Sequence, residues 1–298
     1  MELMSIAPYT VNEVHETINF CVPKGIMQMN CEEMWEQGYT GKDVVIAVLD
    51  TGCDINHPCL KDRIIGVKNF TRGKSDDVHD SHGHGTHVSG IIAGNRIEEG
   101  VTGVAPDSKL LIVKVLGDNG DGSITNVIDG INYAVSQKVD IINLSLGGKQ
   151  DTPLLKKAIQ NAVMRGISVV VASGNNGDGN ALTNEIMYPA YYQEVIEVGA
   201  INFADSMARF SNSNSELDVC CYGVEITSTY PKNTYARCSG TSQATPHVSG
   251  ALALLKQKFV TENNRQPTED ELYKSLLKHL SPIPNVSKNL QGNGKVQF

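Results

Sequence analysis

No stretch of this chain stays apolar for anything near the roughly 18 residues that a membrane-crossing helix needs. The first Lys or Arg is Lys24, so no charged segment opens a secretory signal. Positive charge is short overall: 25 Lys and Arg stand against 33 Asp and Glu, a formal net charge of −8. That balance disfavours a general binder of nucleic acid or of anionic membranes. Internal repeats, low-complexity tracts and long linkers are missing too. The seven cysteines are an odd number, and Cys220 and Cys221 are adjacent. Without a signal they read as free thiols of a reducing cytoplasm, not as a disulfide framework. What remains is ordinary globular composition, 298 residues with 40% hydrophobic and 19% charged. That length suffices for a large core in one big α/β domain or two smaller ones.

Residues 1–40 lack the alternation that follows, and Pro8 and Pro23 interrupt them. From Asp43 onward the pattern is regular. Continuous apolar runs at Val44–Leu49, Leu110–Leu116, Ile141–Leu146, Ile167–Ala172 and Val195–Ala200 predict strands buried on both faces. Ile124, Val127, Ile128, Ile131, Ala134 and Val135 mark one face of a helix. Thr152 and Pro153 read as N-cap and first helical residue of another, whose apolar face is Leu154, Leu155, Ala158, Ile159, Ala162 and Val163 and which ends at Gly166. The alternation predicts an α/β fold, a doubly wound, mostly parallel central sheet with helices on both faces. Chemistry in such sheets sits beyond the carboxyl ends of the strands.

Three segments stand at such places. Asp50-Thr51-Gly52 ends the first strand; alone it is a strand-end turn in which Asp bonds local amides. His82-Gly83-His84-Gly85-Thr86-His87 leads into a helix beginning near Thr86, its glycines allowing a tight turn. Three histidines so close could suggest a metal, but the spacing is not H-E-x-x-H and no acidic ligand is interleaved. Ser239-Gly240-Thr241-Ser242 leads to a helix start, where the backbone dipole favours developing negative charge; its bland reading is a Ser N-cap. Nucleophilic Ser chemistry needs a base and a buried carboxylate that orients it.

The order Asp50, His84, Ser242, with these flanking residues, resembles the subtilisin family of serine proteases, for which that order is already known. Ser173-Gly174-Asn175 matches the family's oxyanion-site segment. Asn143 to Gly148 matches its substrate-binding strand, and Leu116-Gly117 through Gly120 and Gly122 the opposite side of the substrate. The resemblance implies a serine endopeptidase with Asp50, His84, Ser242 and Asn175 catalytic. Gly120, Gly122, Ser145, Leu146, Gly147, Gly174 and Met187 would contact a polypeptide substrate lying as an added strand. Ile6-Ala7-Pro8-Tyr9 resembles the short L-I-P-Y element of the intracellular subtilisins of Gram-positive bacteria, and Leu290 to Gly294 resembles their C-terminal region. That likeness implies a cytoplasmic homodimer, an inhibitory extension over residues 1–20 and a catalytic domain over 21–298. A non-catalytic regulator or scaffold on the same fold is the alternative.

Departures from the family pattern carry expectations of their own. No cofactor is implied for catalysis. The family's tight calcium site meets Cys59 and Ile97 here, and neither offers a hard oxygen ligand. A weak calcium or sodium site would use Ala190, Tyr192, Val195 and Asp218. Met187 stands where the family places a small residue, at the floor of the pocket for the residue before the cut. Gln243 replaces the usual Met after the nucleophile, and a buried Gln needs partners for its amide. His82 and His87 read as structural.

Overall fold

The computed structural model describes residues 3–298. Two short strands, β1 (Leu3–Ser5) and β2 (Thr10–His15), and two short helices, α1 (Lys24–Gln28) and α2 (Cys31–Glu36), come first. Alternation then sets in with β3 (Val45–Asp50), β4 (Ile64–Asn69), α3 (His84–Ala93), β5 (Lys109–Lys114), β6 (Asp121–Ser123), α4 (Ile124–Ser136), β7 (Ile141–Leu144), α5 (Pro153–Met164), β8 (Ser168–Ala172) and β9 (Ile196–Ile201). The remainder comprises β10 (Val219–Tyr222), β11 (Ile226–Tyr230), β12 (Thr234–Ser239), α6 (Thr241–Asn263), α7 (Glu269–Leu277), β13 (Leu280–Ser281), α8 (Lys288–Gln291) and β14 (Lys295–Val296).

The main sheet has nine strands in the order β13-β14-β10-β9-β8-β7-β3-β5-β4. Every pairing in it is parallel except β13 with β14. All five apolar runs are strands, with ends moved by one or two residues. The run Leu110–Leu116 stops pairing at Lys114 because Val115 and Leu116 both donate to the Asp50 carbonyl. Alternate residues feed two cores, as a strand's period of two requires. Ile46 and Val48 pack with Val88, Ile92, Val248 and Leu252 of α3 and α6. Ala47 and Leu49 pack on the opposite face with Val127, Ile131, Leu155 and Ile159 of α4 and α5. Each fully buried aliphatic side chain contributes about 1.5–3 kcal/mol.

Helix starts follow local chemistry. Ser123 accepts from Asn126 N–H at 3.1 Å, and Thr152 accepts from Leu155 N–H at 3.3 Å with Pro153 at the first position. Residues 3–15 join neither core layer as sheet members. β1 pairs antiparallel with β6, and β2 antiparallel with β12.

Candidate active site

β8, β7 and β3 are neighbours in the sheet, and their carboxyl ends lead to Asn175, Ser145 and Asp50. Above them α3 and α6 begin, with His84 the first residue of α3 and Ser242 the second of α6. Asp50 and His84 are both buried. Asp50 Oδ1 accepts from His84 Nδ1–H at 2.8 Å and from Thr51 N–H at 2.7 Å. That contact fixes Nδ1 as the protonated nitrogen and leaves Nε2 with its lone pair, buried and without a partner. The close approach depends on Gly85, where a Cβ would stand 2.1 Å from the Gly52 carbonyl oxygen.

Asp80 was not singled out by the sequence reading, yet it builds this corner. Its buried carboxylate accepts from Thr51 Oγ1 (2.8 Å), Gly83 N–H (2.8 Å), Thr86 N–H (2.9 Å) and Thr86 Oγ1 (2.6 Å). It thereby satisfies amides at the start of α3 and ties them to the Asp50 turn. The readable signal was an Asp three residues before Gly83.

Ser242 lies where the α6 dipole points its positive end. Its Oγ donates to the Ser145 carbonyl at 3.1 Å. The return bond has a covalent cause. Pro246 lacks the N–H that would bond the Ser242 carbonyl four residues back, and the Ser145 hydroxyl donates to that carbonyl instead, at 3.1 Å. Asn175 is oriented by Thr241, whose N–H and Oγ1 both donate to Asn175 Oδ1 at 2.8 Å. The Nδ2 of Asn175 is thus aimed as a donor, and it donates to the Pro8 carbonyl at 2.9 Å.

The chain's own N-terminal segment lies in the groove. Leu3, Met4 and Ser5 face Ser123, Gly122 and Asp121 across one side. Ile6 N–H extends that side by donating to Gly120 O at 3.1 Å, and on the other side Ser5 and Gly147 exchange both backbone bonds at 2.9 Å. The next rung of that ladder, Ala7 N–H to Ser145 O, is not made. Tyr9 then stacks edge-on against His84, ring centroids 4.9 Å apart. Gly120, Gly122, Ser145 and Gly147 therefore meet at one groove, whereas the Leu146 side chain belongs to the core. Met187 is buried between Gly147 and Gly174: Cβ atoms built there would lie 2.9 Å from its Cε and 2.4 Å from its Sδ. It lines a cleft of about 440 Å³ together with Ala7, Pro8 and Asn176.

Other expected residues lie apart. His87 Nε2 faces the Ile226 and Ala236 carbonyls at 3.1 Å, and burial pushes its pKa down to about 3; it does not converge with His82 and His84. Among the described residues no three His, Cys, Asp or Glu side chains are grouped to hold a metal. Cys59 is fully buried against Val101, Tyr235, Ile18, Cys21 and Ile97, an apolar surround that does not fit a calcium ion. Glu98 and Glu99 nearby are exposed. Ala190, Tyr192 and Val195 sit in the core beyond β8. Asp218 already accepts from Glu197 N–H (2.8 Å) and Tyr273 Oη (2.6 Å), and burial raises its pKa to about 6. A cation there would compete with both donors. All seven cysteines are free thiols, and burial pushes Cys221 and Cys238 up to about 12.

A buried Asp–His pair at the start of one helix, packed against a second helix that carries a serine in its first turn, on the carboxyl edge of a doubly wound sheet, is the arrangement of α/β serine hydrolases. The family model described as the subtilase family matches residues 41–294, and the chain belongs to that family. It is 50% identical to the major intracellular serine protease of Bacillus subtilis (strain 168), over 97% of this chain and 91% of that protein. An intracellular serine protease of Paenibacillus polymyxa is 49% identical over 97% of this chain and 89% of its own. Subtilisin from Bacillus pumilus is 45% identical over 82% and 88%.

Proposed function

We propose that this chain is a serine endopeptidase acting on polypeptides in the cytoplasm, held inactive by its own N-terminal extension. The observation that carries the reading is His84, with Nδ1 tied to Asp50 and Nε2 left unbonded, on α3, which packs against the Ser242 helix α6. In the reaction, Ser242 Oγ bonds to the carbonyl carbon before the cut while its proton passes to His84 Nε2. Asp50 stabilises the imidazolium so formed. The C–N bond breaks as that proton goes to the leaving amine, and water then releases the acyl group by the same steps. Negative charge on the carbonyl oxygen meets Asn175 Nδ2 and the Ser242 N–H at the α6 terminus. Thr241 acts through Asn175, as a positioning residue.

Inhibition follows from register. Ser5 pairs with Gly147, so Ala7 is the residue whose N–H the ladder would set on Ser145 O. The carbonyl at Asn175 nevertheless belongs to Pro8, one residue further on. The segment is thus out of step with its own ladder, and Ser145 O takes the Ser242 hydroxyl, which is therefore not donated to His84 Nε2. Tyr9 covers the imidazole. A carbonyl misplaced by about 1 Å can lose on the order of 10²-fold in rate. Catalysis runs on side chains and amides, and the apolar surround of Cys59 replaces the family's tight calcium. Cytoplasmic location is supported by the relatives named intracellular; a homodimer is supported by the resemblance to those enzymes.

The test is Ser242→Ala. It is expected to keep the fold, to lose labelling by an active-serine fluorophosphonate, and to lose peptidase turnover by ~10⁶-fold, the figure known for subtilisin itself. A folded variant keeping about a tenth of wild-type turnover contradicts the reading.

A further inference from the structure

The geometry points to Gln243 as a residue that selects the side chain immediately after the cut bond, favouring a hydroxyl or amide close to its Cβ. This rests on the endopeptidase reading above. Gln243 is fully buried, yet neither its Oε1 nor its Nε2 has a hydrogen-bond partner. Buried side-chain amides ordinarily find partners, and leaving one unpaired is costly. Packing alone does not call for the amide, because an unbranched Met of similar volume would fill the same space.

Its position says what the missing partner is. A Cβ built on Gly240 would stand 2.9 Å from Gln243 Oε1, 3.0 Å from Asn175 Nδ2 and 3.2 Å from Tyr9 Cβ. The three atoms surround one point beside the donor that holds the Pro8 carbonyl. Tyr9 follows that carbonyl and its ring lies against His84, the group that hands its proton to the leaving amine, so Gln243 borders the leaving side of the site although the segment is out of register toward Ser145. Tyr9 brings an aliphatic Cβ to this point, while its ring turns toward His84 and His82, with centroids 4.9 Å and 5.7 Å away. The extension therefore covers the amide and leaves it unpaired. A substrate with Thr, Ser or Asn at that place carries a polar atom on or next to Cβ, able to donate to Oε1 or accept from Nε2. An apolar residue there would bury the amide as Tyr9 does. One neutral hydrogen bond gained in place of a buried orphan corresponds to about tenfold in kcat/KM.

The test uses the full-length chain and two peptides in one tube, identical except for Thr or Val after the cut. Their ratio of kcat/KM does not depend on how many sites the extension leaves open. The wild type is expected to favour Thr about tenfold, and Gln243→Met to bring the ratio within about twofold. Gln243→Glu keeps length and an acceptor, so it should keep the preference for a donating hydroxyl. A wild-type ratio within about twofold overturns the inference whatever the variants do, as does a Thr preference that survives Gln243→Met. Cleavage of both peptides without preference removes this inference alone. Cleavage of neither, with no fluorophosphonate on Ser242 even in the chain lacking residues 1–9, overturns the endopeptidase reading and this inference with it.

Discussion

Met187 shows how one side chain can set a preference. Its Sδ and Cε fill the space between Gly147 and Gly174, and the buried residue beside it in the cleft is Ala7. A large aromatic residue before the cut finds that floor taken. Burying a Phe is worth roughly 1.5–3 kcal/mol, or about 10–100-fold in kcat/KM. Wild type is therefore expected to favour Ala or Met there, and Met187→Gly to recover Phe cleavage by that factor. Peptides differing at that one residue check it, and a wild type preferring Phe over Ala by more than about tenfold contradicts it. The residues proposed to react were legible because Asp50, His84 and Ser242 sit in unusual local sequences. Asp80, Thr241 and Pro246 were not. They act by satisfying or freeing particular backbone groups, and those partners exist only once α3 and α6 stand on the strand ends.

Among the elements, the parallel strands and α4 and α5 could be read because burial on two faces, or on one stripe, writes a period into the sequence. β1 and β2 could not. β2 is exposed at nearly every position, so its pairing with β12 leaves no apolar alternation. Its Arg237–Glu13 ion pair at 2.8 Å is solvent-facing, and such pairs contribute little. The loop carrying Ile97 is held by backbone bridges, Asn19 with Glu99 and Cys21 with Val101, and by the apolar cluster around Cys59. Tight calcium binding would stabilise by RT ln(1 + [L]/Kd), several kcal/mol at millimolar ion. If side-chain packing around Cys59 takes the place of that site, as proposed, a chelator is expected to leave Tm nearly unchanged. A fall of more than roughly 10 °C, several kcal/mol for a protein of this size, contradicts the assignment.

Across the whole molecule, stability is bounded on both sides by buried titratable groups. Glu197 is fully buried with Oε2 unpaired, and burial pushes its pKa up to about 8. The folded state therefore holds this proton more tightly than the unfolded chain does. Stability from it is fully present below the ordinary carboxylate range and is lost as pH rises through about 8. His87 and His247 act oppositely: burial lowers them to about 3 and about 4, so folding is disfavoured as pH falls below the ordinary histidine range. In a Ser242→Ala background, which prevents self-digestion, Glu197→Gln should match its parent in Tm near pH 5 and exceed it increasingly toward pH 9. A gap that stays flat with pH contradicts the burial argument. The central claim is that a competent site is closed by residues of the same chain lying out of register in the groove. β1 through Tyr9 occupies the groove, whereas β2 lies on β12, so removing residues 1–9 separates the two. The direct measurement is the rate at which an active-serine fluorophosphonate labels Ser242 in the full-length chain and in the chain lacking residues 1–9. Labelling at least several-fold faster without the segment, with kcat/KM rising alongside, is the predicted result; equal rates in the two proteins would contradict it.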